Sequence, residues 1–129
     1  MSDYDHYRNR VIVAGSRDFD DYELMRQTLD EFFVDMLPSE TVIISGHARG
    51  ADTLGEQYAR ERRYQVVLFP ADWNKHGRAA GYIRNAQMAE AGTHLVAFWD
   101  GSSRGTRNML SVASGRGIAI RVVLFERKP

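Results

Sequence analysis

Three short segments of this chain each combine glycine, a hydroxyl side chain and an arginine, a set that suits a bound anion. They are Gly15-Ser16-Arg17, Ser45-Gly46-His47-Ala48-Arg49-Gly50-Ala51-Asp52 and Asp100-Gly101-Ser102-Ser103-Arg104-Gly105-Thr106. Glycine lets backbone N–H groups approach a ligand closely, hydroxyls add donors, and a helix N-terminus attracts negative charge. The arginines are the more telling residues. A cation at a helix N-terminus opposes the macrodipole and costs about 0.3 kcal/mol or more unless something compensates. Arg49, Arg78 and Arg104 all fall at or just before an expected helix start. A phosphate or carboxylate would convert these unfavourable placements into bidentate contacts; pairing with Asp18, Asp52, Asp72 or Asp100 is the plainer alternative.

Two acids follow the second segment at helical spacing. Asp52 and Glu56 share one face, where they could hold ribose hydroxyls, coordinate Mg²⁺ beside a phosphate, or serve as acid and base. In the plainer alternative Asp52 is a dipole-favoured first-turn acid and Glu56 pairs with Arg60. A fourth segment brings Trp73 and Asn74 after Pro70, then Arg84 and Asn85. Trp73 could stack on a nucleobase while its neighbours close the pocket, or it could cap a strand end.

Several chemistries are excluded by what is missing. With no Cys there is no thiolate nucleophile, disulfide framework or thiolate metal site. The chain carries neither a P-loop ending in Gly-Lys-Ser/Thr nor GxGxxG, and neither Ser16 nor Ser45 sits in a G-x-S-x-G elbow. His6, His47, His76 and His94 show no ligand spacing, so no metal site is expected.

The elements that must position these loops are legible as hydrophobic runs. Arg10 to Ala14, Val42 to Ser45, Gln65 to Phe69, His94 to Trp99 and Ile118 to Phe125 are mostly apolar and not alternating. That pattern predicts strands buried on both faces of a parallel sheet. Met25, Leu29, Phe32, Phe33 and Met36 recur at helical spacing behind the acidic start Asp20, Asp21 and Glu23. Further helices are expected over 51–63, 79–91 and 106–114, the one over 79–91 stopped by Gly92. Strict alternation of strand and helix with right-handed crossovers predicts an α/β fold, a single Rossmann-like three-layer αβα sandwich around a five-stranded parallel sheet. Ligands of such sheets bind at the carboxyl ends of the strands, where the glycine-bearing segments fall.

The 129 residues suffice for one domain, placed at 10–125, with 1–9 a flexible lead and 126–129 a tail. The net charge is zero, but residues 1–40 carry four basic and ten acidic groups against thirteen and seven in the remainder. A neutral total disfavours a long polyanion coated without specificity and allows one local anion site. The polar N-terminus and the absence of any membrane-length apolar run lead us to expect a cytoplasmic protein without membrane partners.

In order and spacing the four segments resemble the YspA, cpYpsA-related branch of the SLOG superfamily, over about residues 10–124. The resemblance implies a Rossmann-like fold that binds nucleotides or nucleotide-derived ligands, and a homodimer is expected because relatives commonly pair. The LOG enzymes of this superfamily hydrolyse the N-glycosidic bond of nucleoside monophosphates and carry Gly-Gly-x-Gly-Thr-x-x-Glu. Gly105 and Thr106 match that motif and Met109 stands where its Glu would be. An acid for such chemistry would have to come from Glu56 or Asp52. The DprA/Smf proteins bind single-stranded DNA, and their Ser-Gly-x-Ala-x-Gly-x-Asp segment is matched by Ser45, Gly46, Ala48, Gly50 and Asp52. Other SLOG domains sense nucleotide signals. The expectation is a phosphorylated nucleotide or derivative bound at the carboxyl edge of the sheet, by a sensor or an N-glycoside hydrolase. Single-stranded DNA binding is the alternative. No cofactor is identified beyond the Mg²⁺ that a nucleotide would bring.

Overall fold

The apolar runs pair as expected. In the computed structural model, which describes residues 2–127, β1 (Asn9–Gly15), β2 (Thr41–Ser45), β3 (Gln65–Leu68), β4 (His94–Trp99) and β5 (Ala119–Leu124) form one sheet in the order β3-β2-β1-β4-β5. All pairings are parallel, with Val11 opposite Ile43 on one side and His94 on the other. The helices are α1 (Tyr22–Phe32), α2 (Ala51–Arg62), α3 (Trp73–His76), α4 (Ala80–Ala91) and α5 (Arg104–Gly115). The protein is therefore an α/β, Rossmann-like doubly wound domain, and its strand order reverses direction between β1 and β4.

The two faces of the sheet build separate cores because successive side chains of a strand point opposite ways. Val11, Val13, Ile43, Val96 and Phe98 pack with Met25, Leu29 and Phe33 around α1 and with Ala51, Tyr58 and Ala59 of α2. Ile12, Ala14, Ile44, Leu95 and Ala97 pack on the other side with Met88 and Ala89 of α4 and Met109 and Ala113 of α5. Polar links supplement the first core. Asp30 of α1 accepts from the Tyr58 hydroxyl at 2.7 Å and from Arg62 of α2 at 2.9 Å.

Burial on both faces holds for β1, β2 and β4 but not for β3 or β5. These two lie at the edges, where each has one strand neighbour; Ile120, Val122 and Leu124 are exposed along β5. Two elements go beyond the periodicity. Asp72 caps the single turn of α3 by accepting from the Lys75 N–H, and Gly77 leads through a 3₁₀ turn into α4, which begins at Ala80. The last helix begins at Arg104, two residues before the expected start. In the segment before β1, the Tyr4 ring lies 5.9 Å from that of Phe69.

Candidate functional site

The loops after β1, β2 and β4 meet over the strand-order reversal, and there backbone atoms pack closely. Gly50 has a left-handed φ of 80°, and a Cβ there would lie 2.5 Å from both the Ser16 and Arg17 carbonyl oxygens. An L side chain is excluded on both counts. The Ala51 N–H donates to the Ser16 carbonyl oxygen at 3.3 Å, joining the start of α2 to the β1 loop. Ser16 is buried; its N–H donates to the Phe98 carbonyl and its hydroxyl lies 3.3 Å from that of Ser103. Asp100 accepts from the Ser102 and Ser103 N–H groups at 2.9 and 2.7 Å. Burial alone would raise its pKa, but those amides and Arg127 hold its carboxyl below the ordinary range.

Above these loops opens a cleft of about 400 Å³, within the range of small-ligand sites. Ala14, Met88 and Met109 line its apolar part, and Arg17, Arg49, Arg78 and Arg84 bring cations to it, against the acids Asp18 and Asp52. Trp73 and Tyr82, both about half exposed, add aromatic faces; the Arg17 guanidinium carbon lies 6.0 Å from the Trp73 ring centre. A second hollow, of about 350 Å³, adjoins the cleft through Arg17, Ala48, Arg49, Trp73 and Arg84, and adds Gly46 and His47.

Asp52 and Arg84 are the buried charges of this site. Asp52, in the first turn of α2, accepts from the Ala48 N–H at 3.1 Å. Burial is the largest influence and pushes its pKa up to about 6, against the opposing pull of the Ala48 amide and the Arg84 guanidinium. Arg84 donates through Nη1 to the Gly46 carbonyl and through Nε to Asn85 Oδ1, and burial lowers its pKa from the usual arginine value. Asn85 in turn donates to the Gly105 carbonyl at 3.2 Å and to Asn108 at 2.9 Å. The pair thus ties α4 to both the β2 loop and the start of α5.

The cleft lining brings together Gly15, Ser16, Arg17, Arg49, Asp52, Trp73, Arg84, Asn85, Gly105 and Thr106 among the residues singled out from the sequence. Gly46 lines the second hollow, and Gly50 shapes the loop from behind. Asn74, Gly101, Ser102 and Arg104 are exposed and outside both linings, and Asp100 organises its own loop. Ser45 and Glu56 are outside as well. The Ser45 hydroxyl donates to Glu56 Oε2 at 2.7 Å, and His47 Nδ1 lies 3.0 Å from the same oxygen. The lining residues outside the loop motifs include Gly81, Tyr82 and the apolar Ala14, Met88 and Met109, whereas Ser103 lies within the third motif. Arg78 and Asp18, in sequence terms a cation at a helix start and an acid that could pair with such a cation, also line the cleft. Helical spacing from Arg84 and Asn85 back to Gly81 was the available signal for the start of α4; nothing in composition marks the apolar residues as lining.

Among the described residues no group of three His, Asp or Glu side chains could hold a metal ion, and no helix is long and apolar enough to cross a membrane.

Comparison with known proteins places this geometry among relatives. The chain is 37% identical over 129 residues to Gene 61 protein of Mycobacterium phage D29, covering 93% of this chain and 98% of the phage protein. Its fold is similar to the X-ray structure of DNA processing protein A from Streptococcus pneumoniae, with a TM-score of 0.65 at 16% identity. That match covers 90% of this chain and 50% of the other, so the chain spans half the length of that protein and the likeness is one of fold. Residues 9–76, from β1 through the loop that carries Arg49 and Asp52 to the end of α3, match a family model, and the chain belongs to the YspA, cpYpsA-related SLOG family.

Proposed function

We propose that the cleft binds a phosphorylated nucleotide or nucleotide-derived ligand. One observation carries the reading: four arginines converge on a single cleft that also has an apolar floor and aromatic faces. Guanidinium groups suit phosphate, and exposed Trp73 and Tyr82 suit a base. Buried Arg84 is held by the Gly46 carbonyl and Asn85, which leaves Arg17, Arg49 and Arg78 as the cations to meet the anion. Mg²⁺, if used, would arrive with the phosphates and meet Asp18 or Asp52.

Two roles suit such a site, a sensor or sequestering protein and an N-glycoside hydrolase. For the second, Asp52 is the acid in the right place, because it lines the cleft and its pKa of about 6 keeps both protonation states accessible near neutrality. Single-stranded DNA is the second reading, favoured by the fold likeness to DNA processing protein A and by the second hollow, which lengthens the groove past Trp73. A small ligand is preferred because the arginines converge instead of forming a track.

Native mass spectrometry of freshly purified protein, followed by calorimetry with a panel of nucleoside monophosphates, tests the proposal. Saturable binding of a mononucleotide that an excess of single-stranded oligonucleotide does not displace is the expected result. Binding of oligonucleotide alone would favour the DNA reading, and binding of neither would overturn the nucleotide site. Release of free base during the incubation would identify the hydrolase.

A further inference from the structure

The second hollow holds a histidine whose placement the nucleotide site does not account for. His47 occupies the left-handed region at φ 58°, a conformation uncommon outside glycine and costly for most side chains. Its ring is about half exposed, and it lines the hollow beside Arg17, Arg49 and Arg84. Nδ1 lies 3.0 and 3.2 Å from the two carboxylate oxygens of Glu56, and Glu56 is itself fixed by the Ser45 hydroxyl at 2.7 Å. A carboxylate offers only acceptors, so this contact places a proton on Nδ1, and in the neutral imidazole Nε2 is then the acceptor. Ser45, Glu56 and His47 form a relay that ends in a proton acceptor next to a cluster of guanidinium groups.

We propose that His47, oriented by Glu56, is the general base of a phosphodiester hydrolysis carried out in the second hollow. This inference rests on the phosphate-binding reading of the adjoining cleft. Arg17 and Arg49, which line both hollows, would hold the phosphoryl oxygens. His47 Nε2 takes a proton from water, the water oxygen bonds to phosphorus, and one P–O ester bond breaks, its electron pair leaving with the alcohol oxygen. The imidazolium then returns its proton to solvent or to that oxygen. Glu56 touches no reacting atom and acts as a positioning residue.

The test uses the p-nitrophenyl ester of thymidine 5′-monophosphate, which yields thymidine 5′-monophosphate and coloured p-nitrophenolate. Asparagine tolerates the left-handed backbone, so His47→Asn keeps the loop while removing the base. The wild-type protein is expected to release p-nitrophenolate, and His47→Asn to lower kcat by about 100-fold or more with thymidine 5′-monophosphate binding changed less than about twofold. Glu56→Gln is expected to lower kcat with little change in KM. Long-range ¹H–¹⁵N spectra should show the His47 proton on Nδ1 in the wild type and partly on Nε2 in that variant. Binding of thymidine 5′-monophosphate without turnover, or turnover indifferent to His47→Asn, overturns the catalytic role and leaves the nucleotide site standing. Absence of both binding and turnover overturns the two together.

Discussion

Asp52 and Arg84, one from α2 and one from α4, close on Gly46 from opposite sides of the sheet. A Cβ at Gly46 would lie 2.8 Å from Asp52 Oδ2 and 2.6 Å from Arg84 Nη1. The two buried charges thus border the space that a side chain at Gly46 would fill, and the Gly46 carbonyl is itself the acceptor that fixes Arg84. The junction of the cleft with the second hollow depends on that position having no side chain.

Gly46→Ala therefore has to displace Arg84 from its carbonyl partner. The expected cost is about 1–3 kcal/mol of stability, the range for a buried charged group losing its hydrogen bond or for an overpacked site. Chemical denaturation of the two proteins measures it, and an unchanged midpoint would refute the close packing.

Asp52 makes stability depend on pH in a defined direction. Its pKa rises from 3.8 to about 6 on folding, so the native state binds more protons than the unfolded chain between those values. The stabilisation is complete below about pH 4 and is lost as pH rises through 6. At about 1.4 kcal/mol for each tenfold change in the proton equilibrium, the loss is at most about 3 kcal/mol. Asp52→Asn should be more stable than the wild type at pH 8 and show no advantage at pH 4. Urea denaturation at both values checks the crossover.

The arginines separate by position. Arg49 lines both hollows, whereas Arg104 is exposed on the first turn of α5 and lines neither. Arg49→Ala should weaken nucleotide affinity by about 1–3 kcal/mol, as expected for a lost charged hydrogen bond. Arg104→Ala should leave affinity unchanged and stabilise the helix by a few tenths of a kcal/mol, roughly the dipole penalty it removes. Calorimetry on the pair decides between them.

Trp73 sits at the cleft on a single-turn helix and is 52% exposed, so it contributes little to the core. Trp73→Ala should change stability by less than about 1 kcal/mol, while a stacked base would lose about 1–3 kcal/mol of binding. Quenching of Trp73 fluorescence on titration with a nucleoside monophosphate, lost in the variant, would report the stack.

The central fold could be read from the chain because its signal is local: Val11 to Ala14 and Leu95 to Ala97 are apolar at every position, which suits only strands covered on both faces. The edge strands use the same residue types, and exposure of Ile120, Val122 and Leu124 follows from sheet order, which no local pattern encodes. At the site, glycine and arginine spacing marked the loops, and Arg17, Arg49 and Arg84 do line the cleft. Which way a side chain turns within a loop was not legible. Asp100 falls in a segment whose composition suits a bound ligand, yet it is spent on the Ser102 and Ser103 amides of its own turn. Glu56 looked like the partner of Asp52 on one helix face, but the left-handed turn at His47 brings the imidazole to it.

The central position of β1 has a consequence in time. Asp100 and Ser103, which anchor Ser16, come from the far half of the chain, and the Arg10 N–H and carbonyl are bridged by the Thr93 hydroxyl across 83 positions. A chain emerging from a ribosome N-terminus first can pair β1 with β2 and β3 well before β4 exists. Such a half-made chain already displays Arg17 and Arg49 but has neither Met109 nor Thr106, so one wall of the cleft is missing. If the cleft binds the proposed nucleotide, capture waits for β4 and α5, and a nascent chain would not compete for it.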